Sequence, residues 1–226
     1  MSEPRHMADA DTHARPMRDQ AYQTFTDQLL SRQIRPGQFV SQRELVAITG
    51  MPLGAIRELV PRLEADGLIK TVPQRGMQVA HVDLDLIRNA FQFRLMLERE
   101  AVTHFARTAP EALIADQLAQ HRATAAEAEG GVSPALLQRA QAMDWGLHDM
   151  MIDHLGNDII SSAYRVNSIK IRLIISERTR MLPGLVTSVM GEHIPILEAA
   201  LRRDVDGAVT AMEAHVASAR ARALQV

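Results

Sequence analysis

Cysteine is entirely missing from this chain of 226 residues. Its absence excludes disulfides and thiolate metal sites, so a metal site here would use carboxylate and imidazole ligands. Long apolar runs are missing too: no segment approaches the ~18 uninterrupted apolar residues of a membrane span. The N-terminal stretch Met1 to Pro16 is polar and lacks the apolar run of a signal peptide. We therefore expect a cytoplasmic protein with a frayed leader and no membrane partner.

A strong charge of either sign is also absent, because 25 Lys and Arg face 27 Asp and Glu, for a formal net charge of −2. Residues 1–80 hold 10 basic and 9 acidic side chains, and the rest hold 15 and 18. Charge alone therefore does not indicate a nucleic-acid partner. What the chain does have is a hydrophobic content of 46%, enough to build the core of one large domain or two small ones.

The first third of the chain reads as three helices and a hairpin. Turn residues and a Ser41 to Glu44 capping box separate the helices, and Gly67 stands where a helix C′ glycine is expected. The predicted helices run from Met17 to Gln33, from Ser41 to Thr49 and from Leu53 to Ala65, and the strands are Leu68 to Val72 and Met77 to Val82. This order predicts a winged helix-turn-helix.

The remainder reads as an all-α bundle of six helices, because apolar residues recur at spacings of three and four between Pro, Gly and capping residues. The predicted helices start at Asp83, at Pro110 (to Glu127), at Ser133 (to Gly156), at Asn157 (to about Met181), at Ser188 (to Arg203) and at Asp204 (to the C-terminus). The fold class is therefore mainly α, with the winged unit first.

Four residues of the second part have the types and helical placement of a buried divalent-metal site. Asp144 and His148 are four apart and share a helix face. His193 and His215 lie in the last two predicted helices, and packing of a bundle can bring all four together. Two alternatives stay open: an ordinary helix pair of Asp144 and His148, or a buried polar cluster that is hydrogen-bonded without metal.

Four motifs follow one another in the first part of the chain. They are Ile34-Arg35-Pro36-Gly37, Arg43-Glu44-Leu45, the stretch from Ile56 to Ile69 with Glu64-Ala65-Asp66-Gly67-Leu68, and Arg75-Gly76-Met77-Gln78-Val79. In type and order they resemble the DNA-binding domain of GntR-family transcription regulators. The resemblance covers about Ala14 to His81, which we take as a domain of residues 14–81.

The resemblance implies DNA contacts by Arg43, Arg57, Arg75 and Gly76. Arg grips guanine or phosphate in a bidentate manner, and a glycine lets the backbone of the wing approach the duplex. The alternative for Arg57 is an ion pair with a nearby Glu on a solvated face.

One stretch departs from the family pattern. Where the family usually has Ser-Arg-Thr-Pro, this chain has Pro52-Leu53-Gly54-Ala55. A base-reading Arg and two hydroxyls are thus missing, and each bidentate Arg contact supplies roughly 1–3 kcal/mol of discrimination. We expect a different operator or weaker binding.

Residues 82–226 resemble the FCD ligand-binding domain of the FadR branch of that family, in its shorter VanR-like subgroup. Asp144-Trp145-Gly146-Leu147-His148, Glu192-His193 and the final His215 look like the family's metal motif. The mixed oxygen and nitrogen set suits Zn, Ni, Mn or Fe(II). Arg94 matches a family Arg and is a candidate clamp on an acidic effector; the alternative is a surface pair with Glu98.

Asn167, Arg172 and His104 are polar residues on mostly apolar helices. All three could line the effector cavity, and Asn167 and Arg172 are further candidates for effector binding, although a satisfied core position is the better explanation for each of the three. The resemblance implies a regulator and not an enzyme: a homodimer on pseudo-palindromic, double-stranded operator DNA, controlled by a small organic acid and acting as a repressor. The alternatives are a metal-dependent enzyme with a DNA-binding head and an architectural DNA-binding dimer.

Overall fold

A computed structural model describes residues 17–178 and 182–225, and the chain divides into two compact units between Val79 and Ala80. The expected leader Met1 to Pro16 and the expected helix end at Met181 lie outside the described residues.

The first unit is a winged helix-turn-helix, as predicted. Its elements are α1 (Met17–Leu30), β1 (Phe39–Val40), α2 (Gln42–Thr49), α3 (Leu53–Ala65), β2 (Ile69–Val72) and β3 (Gly76–Val79). The strands form an antiparallel sheet in the order β1-β3-β2. The core of this unit lies between the helices and the sheet and includes the buried side chains of Phe25, Leu29, Ile34, Leu45, Ile56, Leu59 and Leu63.

Local chemistry sets the helix boundaries of this unit. The Ser41 hydroxyl accepts a hydrogen bond from the Glu44 amide at 3.1 Å, and the Glu44 carboxylate accepts one from the Ser41 amide at 2.7 Å. This reciprocal capping box opens α2 as predicted. Gly50 then ends α2 in the left-handed region with φ 69°, which lets the chain turn into α3.

The second unit consists, in its described residues, of six helices, the predicted number. They are α4 (Leu84–Thr108), α5 (Glu111–Glu129), α6 (Pro134–Asp153), α7 (Asp158–Arg178), α8 (Pro183–Leu201) and α9 (Val205–Leu224). Helix α8 begins at Pro183 and not at Ser188, because Pro183 does not stop a helix here but occupies the first turn, where its missing N–H costs nothing. Among the described residues, no helix is long and apolar enough to cross a membrane.

Packing between distant helices builds the core of the second unit. Helix α5 lies against α8, α4 lies against α9, and α8 and α9 pack on each other. The buried cluster includes Phe91, Phe105, Leu147, Ile174 and Leu197. Polar side chains on the inward faces of α4, α6, α8 and α9 are therefore enclosed together by this apolar core.

Candidate metal centre and DNA-facing residues

Asp144, His148, His193 and His215 come together in the second unit. Each is buried, and one possible ligand atom from each lies within 4.8 Å of all the others. Nε2 of His193 lies 3.4 Å from Oδ1 of Asp144, and Nε2 of His148 lies 3.9 Å from the same oxygen. Helices α6, α8 and α9 thus bring together the four residues that the sequence singled out.

The unsatisfied atoms of this cluster fit a divalent cation. Both ring nitrogens of His193 lack a hydrogen-bond partner, although the side chain is fully buried. Nε2 of His148 and Nε2 of His215 face each other at 3.1 Å. Nη2 of Arg94 is the donor that these two lone pairs now share. Buried lone pairs that converge are costly unless a donor or a cation binds them, so a divalent ion fits the position of this shared donor. Three imidazoles and one carboxylate are a ligand set that borderline metals such as zinc or nickel accept.

Two carboxylates lie next to the Nδ1 atoms of two of the histidines. Nδ1 of His215 donates to Glu192 at 2.9 Å, and Nδ1 of His148 lies 3.1 Å from Oε2 of Glu98. A proton held on Nδ1 leaves Nε2 free to bind an ion, and such partners orient metal-binding histidines. Glu192 is itself held by both terminal nitrogens of Arg222, at 2.6 and 3.0 Å.

Arg94 is buried at the edge of the cluster and is not a surface residue. Its Nε donates to Glu98 at 2.7 Å, and Tyr164 donates to the same oxygen at 2.7 Å. Its Nη2 lies 2.7 Å from Nε2 of His148 and 3.4 Å from Nε2 of His215. The i+4 pair of Arg94 and Glu98 therefore exists, but inside the protein and in contact with the candidate ligands.

Burial and neighbouring charges set the protonation of this cluster. Burial lowers the pKa of His215 to about 3, with the neighbouring His193 acting in the same direction. Burial also lowers the pKa of His193. Burial opposes ionisation of Asp144, but the close contact with His193 outweighs it and lowers the pKa of that carboxyl group. Neutral imidazoles beside an ionised carboxylate are the forms that bind metal.

A cavity of about 40 Å³ opens beside the cluster. Its polar lining includes Arg94, Asp144, His215, Arg222 and Gln141, and Trp145 forms part of its wall. It offers both guanidinium and carboxylate groups next to the candidate ligands, so a small polar or anionic molecule fits its chemistry.

Asn167 and Arg172 do not line this cavity. Asn167 donates to the Ala90 carbonyl at 3.0 Å, as expected of a satisfied core amide. Arg172 donates to Asp149 at 3.1 Å and lies over the Trp145 ring at 4.4 Å, so it contacts the cavity wall from behind. His104 lies against His154, with 5.5 Å between ring centroids.

Sequence reasoning missed two polar residues beside the cluster. Arg222 lies two turns after His215 on the same helix face, a spacing that could have suggested it. His121 on α5 is fully buried, and its ring centroid lies 5.2 Å from that of His193. Burial lowers the pKa of His121 to about 4, which keeps the ring neutral. A lone histidine on an apolar helix face gave no sequence signal for this position.

The four residues expected to contact DNA are all exposed in the first unit. Arg43 lies in the first turn of α2 and Arg57 lies on α3. Arg75 ends the turn between β2 and β3, and Gly76 begins β3. Arg57 makes no ion pair among the described residues, and Glu64 instead accepts from the Thr71 amide. The guanidinium of Arg75 stacks over the Phe39 ring at 4.5 Å.

Gly76 has a structural role of its own. Its φ of 91° lies in the left-handed region, and a Cβ there would meet the Val40 carbonyl oxygen at 3.0 Å. In the departing stretch, Pro52 caps α3 without a side-chain hydrogen bond, and a Cβ on Gly54 would meet nothing within 4 Å.

Comparison with known proteins gave matches at the level of families and folds. The model described as "FCD domain" matches residues 89–218, and the model described as "Bacterial regulatory proteins, gntR family" matches residues 17–79. The comparison with curated proteins gave no match.

Two solved structures illustrate the fold. A transcriptional regulator GntR from Rhodococcus sp. RHA1 has 17% identity and a TM-score of 0.70, over 92% of this chain and 97% of that one. E. coli McbR/YncC has 14% identity and a TM-score of 0.66, over 90% of this chain and 94% of that one. At these identities the likeness concerns the fold alone.

Proposed function

Since this chain belongs to the GntR family of bacterial regulatory proteins and carries an FCD domain, we propose that its operator binding is modulated by a small carboxylate bound at a divalent metal in the second unit. Members of this family are transcription regulators and not enzymes, which removes the enzyme alternative. Within the family we assign the chain to the VanR-like subgroup of the FadR branch and expect it to repress.

The observation that carries the proposal is the buried cluster of one carboxylate and three imidazoles. We assign Asp144, His148, His193 and His215 as the residues that hold the ion. FCD domains often bind metal, which supports the assignment. A bound divalent ion supplies Lewis acidity and open positions for an oxygen ligand.

The charges around the centre favour an anionic effector. Glu98 pairs with Arg94 and Glu192 pairs with Arg222, whereas Asp144 lies against His193. The three carboxylates and two guanidiniums therefore carry a formal charge of −1. With a divalent cation this becomes +1. A positive charge in a buried site is stabilised by a paired anion, so one carboxylate in the cavity would neutralise it.

Arg94 is the residue that we assign to the effector carboxylate. Its guanidinium now lies against the Nε2 atoms of His148 and His215, which are the lone pairs proposed to bind the ion. The Arg94 guanidinium and a metal ion cannot both bind these lone pairs, so the Arg94 side chain must rotate away when the ion binds. The cavity that it lines is the space open to it. For Asn167 and Arg172 we propose an indirect role, since neither residue lines the cavity and each bonds to a group outside it.

The first unit supplies the DNA contacts in this proposal. We assign Arg43 and Arg57 to the duplex through α2 and α3, and Arg75 and Gly76 through the wing. Exposure of all four residues supports this. We propose domains of residues 14–81 and 82–226, and a homodimer that binds the two halves of a pseudo-palindromic operator. The Pro52 to Ala55 stretch lacks polar side chains, so we expect it to read no bases.

The metal assignment is tested by elemental analysis and thermal unfolding of the purified protein. We expect about one equivalent of divalent metal per chain in the wild type. His193→Ala should lose it and should no longer be stabilised by added zinc or nickel, because an ion that binds only the native state stabilises that state. A screen of hydroxy and sugar acids for thermal shift then identifies the effector class.

His104→Ala is the matched control, because His104 contacts His154 and lies outside the cluster. It should keep its metal. If the wild type contains no metal, and neither zinc nor nickel raises its melting temperature, the four-residue centre is wrong.

A further inference from the structure

His121 carries an unpartnered nitrogen in the interior of the second unit. Its Nδ1 lies 2.7 Å from the carbonyl oxygen of Gln117, one turn earlier on α5. A carbonyl can only accept, so Nδ1 carries the proton and donates. In the neutral ring, Nε2 therefore holds a lone pair, and this buried atom has no hydrogen-bond partner. A fully buried side chain with an unused acceptor requires an explanation.

The ring of His121 lies against the ring of His193, whose nitrogens also lack hydrogen-bond partners. The two ring centroids are 5.2 Å apart at an interplanar angle of 60°. Neither nitrogen of His193 has a hydrogen-bond partner. A neutral imidazole that binds an ion through one nitrogen carries a proton on the other, and in a dry interior that N–H needs an acceptor.

Of the other two histidines among the candidate ligands, His215 has such an acceptor and His148 has a carboxylate close to its Nδ1. His215 donates from Nδ1 to Glu192 at 2.9 Å, and Nδ1 of His148 lies 3.1 Å from Glu98. His193 is the remaining histidine, and among the described residues its only carboxylate contact is that of Nε2 with Asp144, which leaves Nδ1 without one. Three carboxylates already surround the centre, so a fourth buried negative charge would be costly, whereas a neutral imidazole accepts without adding charge.

We propose that His121 is a positioning residue for the metal centre, whose Nε2 accepts the N–H of His193 that points away from the ion. It is not one of the four ligands, because the group whose ligand atoms all lie within 4.8 Å of one another does not include it. This inference rests on the proposed metal centre. His121 fixes the tautomer and orientation of His193 as Glu192 and Glu98 do for the other two rings.

The test measures zinc affinity by competition with a chromophoric chelator, together with zinc per chain and the melting temperature without metal. His121→Phe keeps the ring shape and removes the acceptor. We expect its zinc affinity to fall about 10- to 100-fold, the usual effect of losing such a partner, with one zinc per chain retained. His121→Gln offers an amide oxygen and should recover part of the affinity, which a purely packing role would not explain.

Thr124→Val is the matched control. Thr124 is buried on the same helix, one turn further on, and its hydroxyl contacts the Met143 sulfur. The control should bind zinc as the wild type does. Equal zinc affinity of the wild type and a folded His121→Phe would overturn the positioning role alone. Complete loss of zinc, as expected for His193→Ala, would make His121 a ligand and also overturn it. A wild type that binds no zinc overturns the metal centre itself.

The wild type provides a second measurement that needs no variant. Long-range ¹H–¹⁵N spectra of the zinc-loaded protein should show His121 protonated on Nδ1, with Nε2 coupled across a hydrogen bond to His193. A proton on Nε2 of His121 would contradict the proposal even if both substitutions prevented folding.

Discussion

At the scale of single residues, the buried Arg94 and Glu98 pair is the part of the site with the largest expected effect on stability. Both side chains are almost fully buried, and their 2.7 Å contact is supported by Tyr164. Removing one partner of such a pair leaves an uncompensated charge, which typically costs about 3–5 kcal/mol. We expect Arg94→Met to lower the free energy of unfolding of the metal-free protein by that amount.

Urea unfolding measures this change. The double variant Arg94→Met with Glu98→Gln removes the stranded charge and should recover part of the loss. If Arg94→Met is as stable as the wild type, the desolvation cost of the ion pair cancels its attraction, and the pair does not stabilise the fold.

Arg57 is the residue on which specific DNA recognition should depend most. It is exposed on α3 and makes no ion pair among the described residues. We expect Arg57→Ala to abolish specific operator binding and to leave folding and dimerisation intact, because a base-reading contact is lost without change to the core. Gel-shift assays with the DNA upstream of the protein's own gene measure this loss of operator binding.

Arg139→Ala serves as the control, since Arg139 pairs with Glu127 on the surface of the second unit. It should bind the operator as the wild type does. Unchanged affinity and sequence preference in Arg57→Ala would place recognition on another surface.

At the scale of elements, the wing depends on close contact between β3 and β1. A side chain at Gly76 would meet the Val40 carbonyl oxygen at 3.0 Å, on a backbone with φ 91°. Such strain costs about 1–3 kcal/mol. We expect Gly76→Ala to destabilise the first unit by that amount in thermal or urea unfolding, in addition to any loss of DNA affinity.

Gly54→Ala is the natural comparison, because that glycine is helical and a Cβ there has open space. It should be neutral or stabilising by about 0.5–1 kcal/mol, since alanine favours helix. Equal stability of the two variants would contradict a structural role for Gly76 and leave DNA approach as its only function.

Rules that act within a few residues made much of this architecture predictable. The Ser41 capping box, Gly67 in the left-handed region and the shared face of Asp144 and His148 each depend on short spacings. By contrast, β1 is only two residues long and too short to show alternation. It forms because β3 pairs with it, which is a contact across the fold.

The candidate site likewise has a part that the sequence predicts and a part that depends on packing between helices. Spacing and family resemblance selected Asp144, His148, His193 and His215, and the structure brings them together. The spacing of Arg222 from His215 on one helix face could have suggested that partner. Glu98 and His121 were not predictable, because they reach the cluster from other helices. Their roles depend on how α4, α5 and α9 pack, and sequence periodicity does not specify that packing.

At the scale of the whole molecule, regulation requires that effector and operator affect each other's binding. An effector that prefers one state of the protein shifts the DNA-binding units only through that preference. We expect a small organic acid to change operator affinity about 5- to 150-fold, the ordinary range of allosteric coupling. By linkage, operator DNA must change the affinity of the acid by the same factor.

Isothermal titration of the metal-loaded protein with the acid, with and without operator DNA, measures both affinities. Arg94→Met provides the comparison and should lose the response to the acid. Equal affinity with and without operator would mean that the cavity binds the acid without regulating DNA binding.

Trp145 gives the protein an optical property that follows from its composition and its fold. It is the only tryptophan in the chain, and its indole forms part of the cavity wall with the Arg172 guanidinium over the ring at 4.4 Å. Its indole N–H has no hydrogen-bond partner. Fluorescence excited at the red edge of the absorption band, where tyrosine contributes little, therefore comes from the Trp145 indole alone. A molecule that enters the cavity is expected to change the wavelength and intensity of this emission, so its binding can be followed without an attached dye.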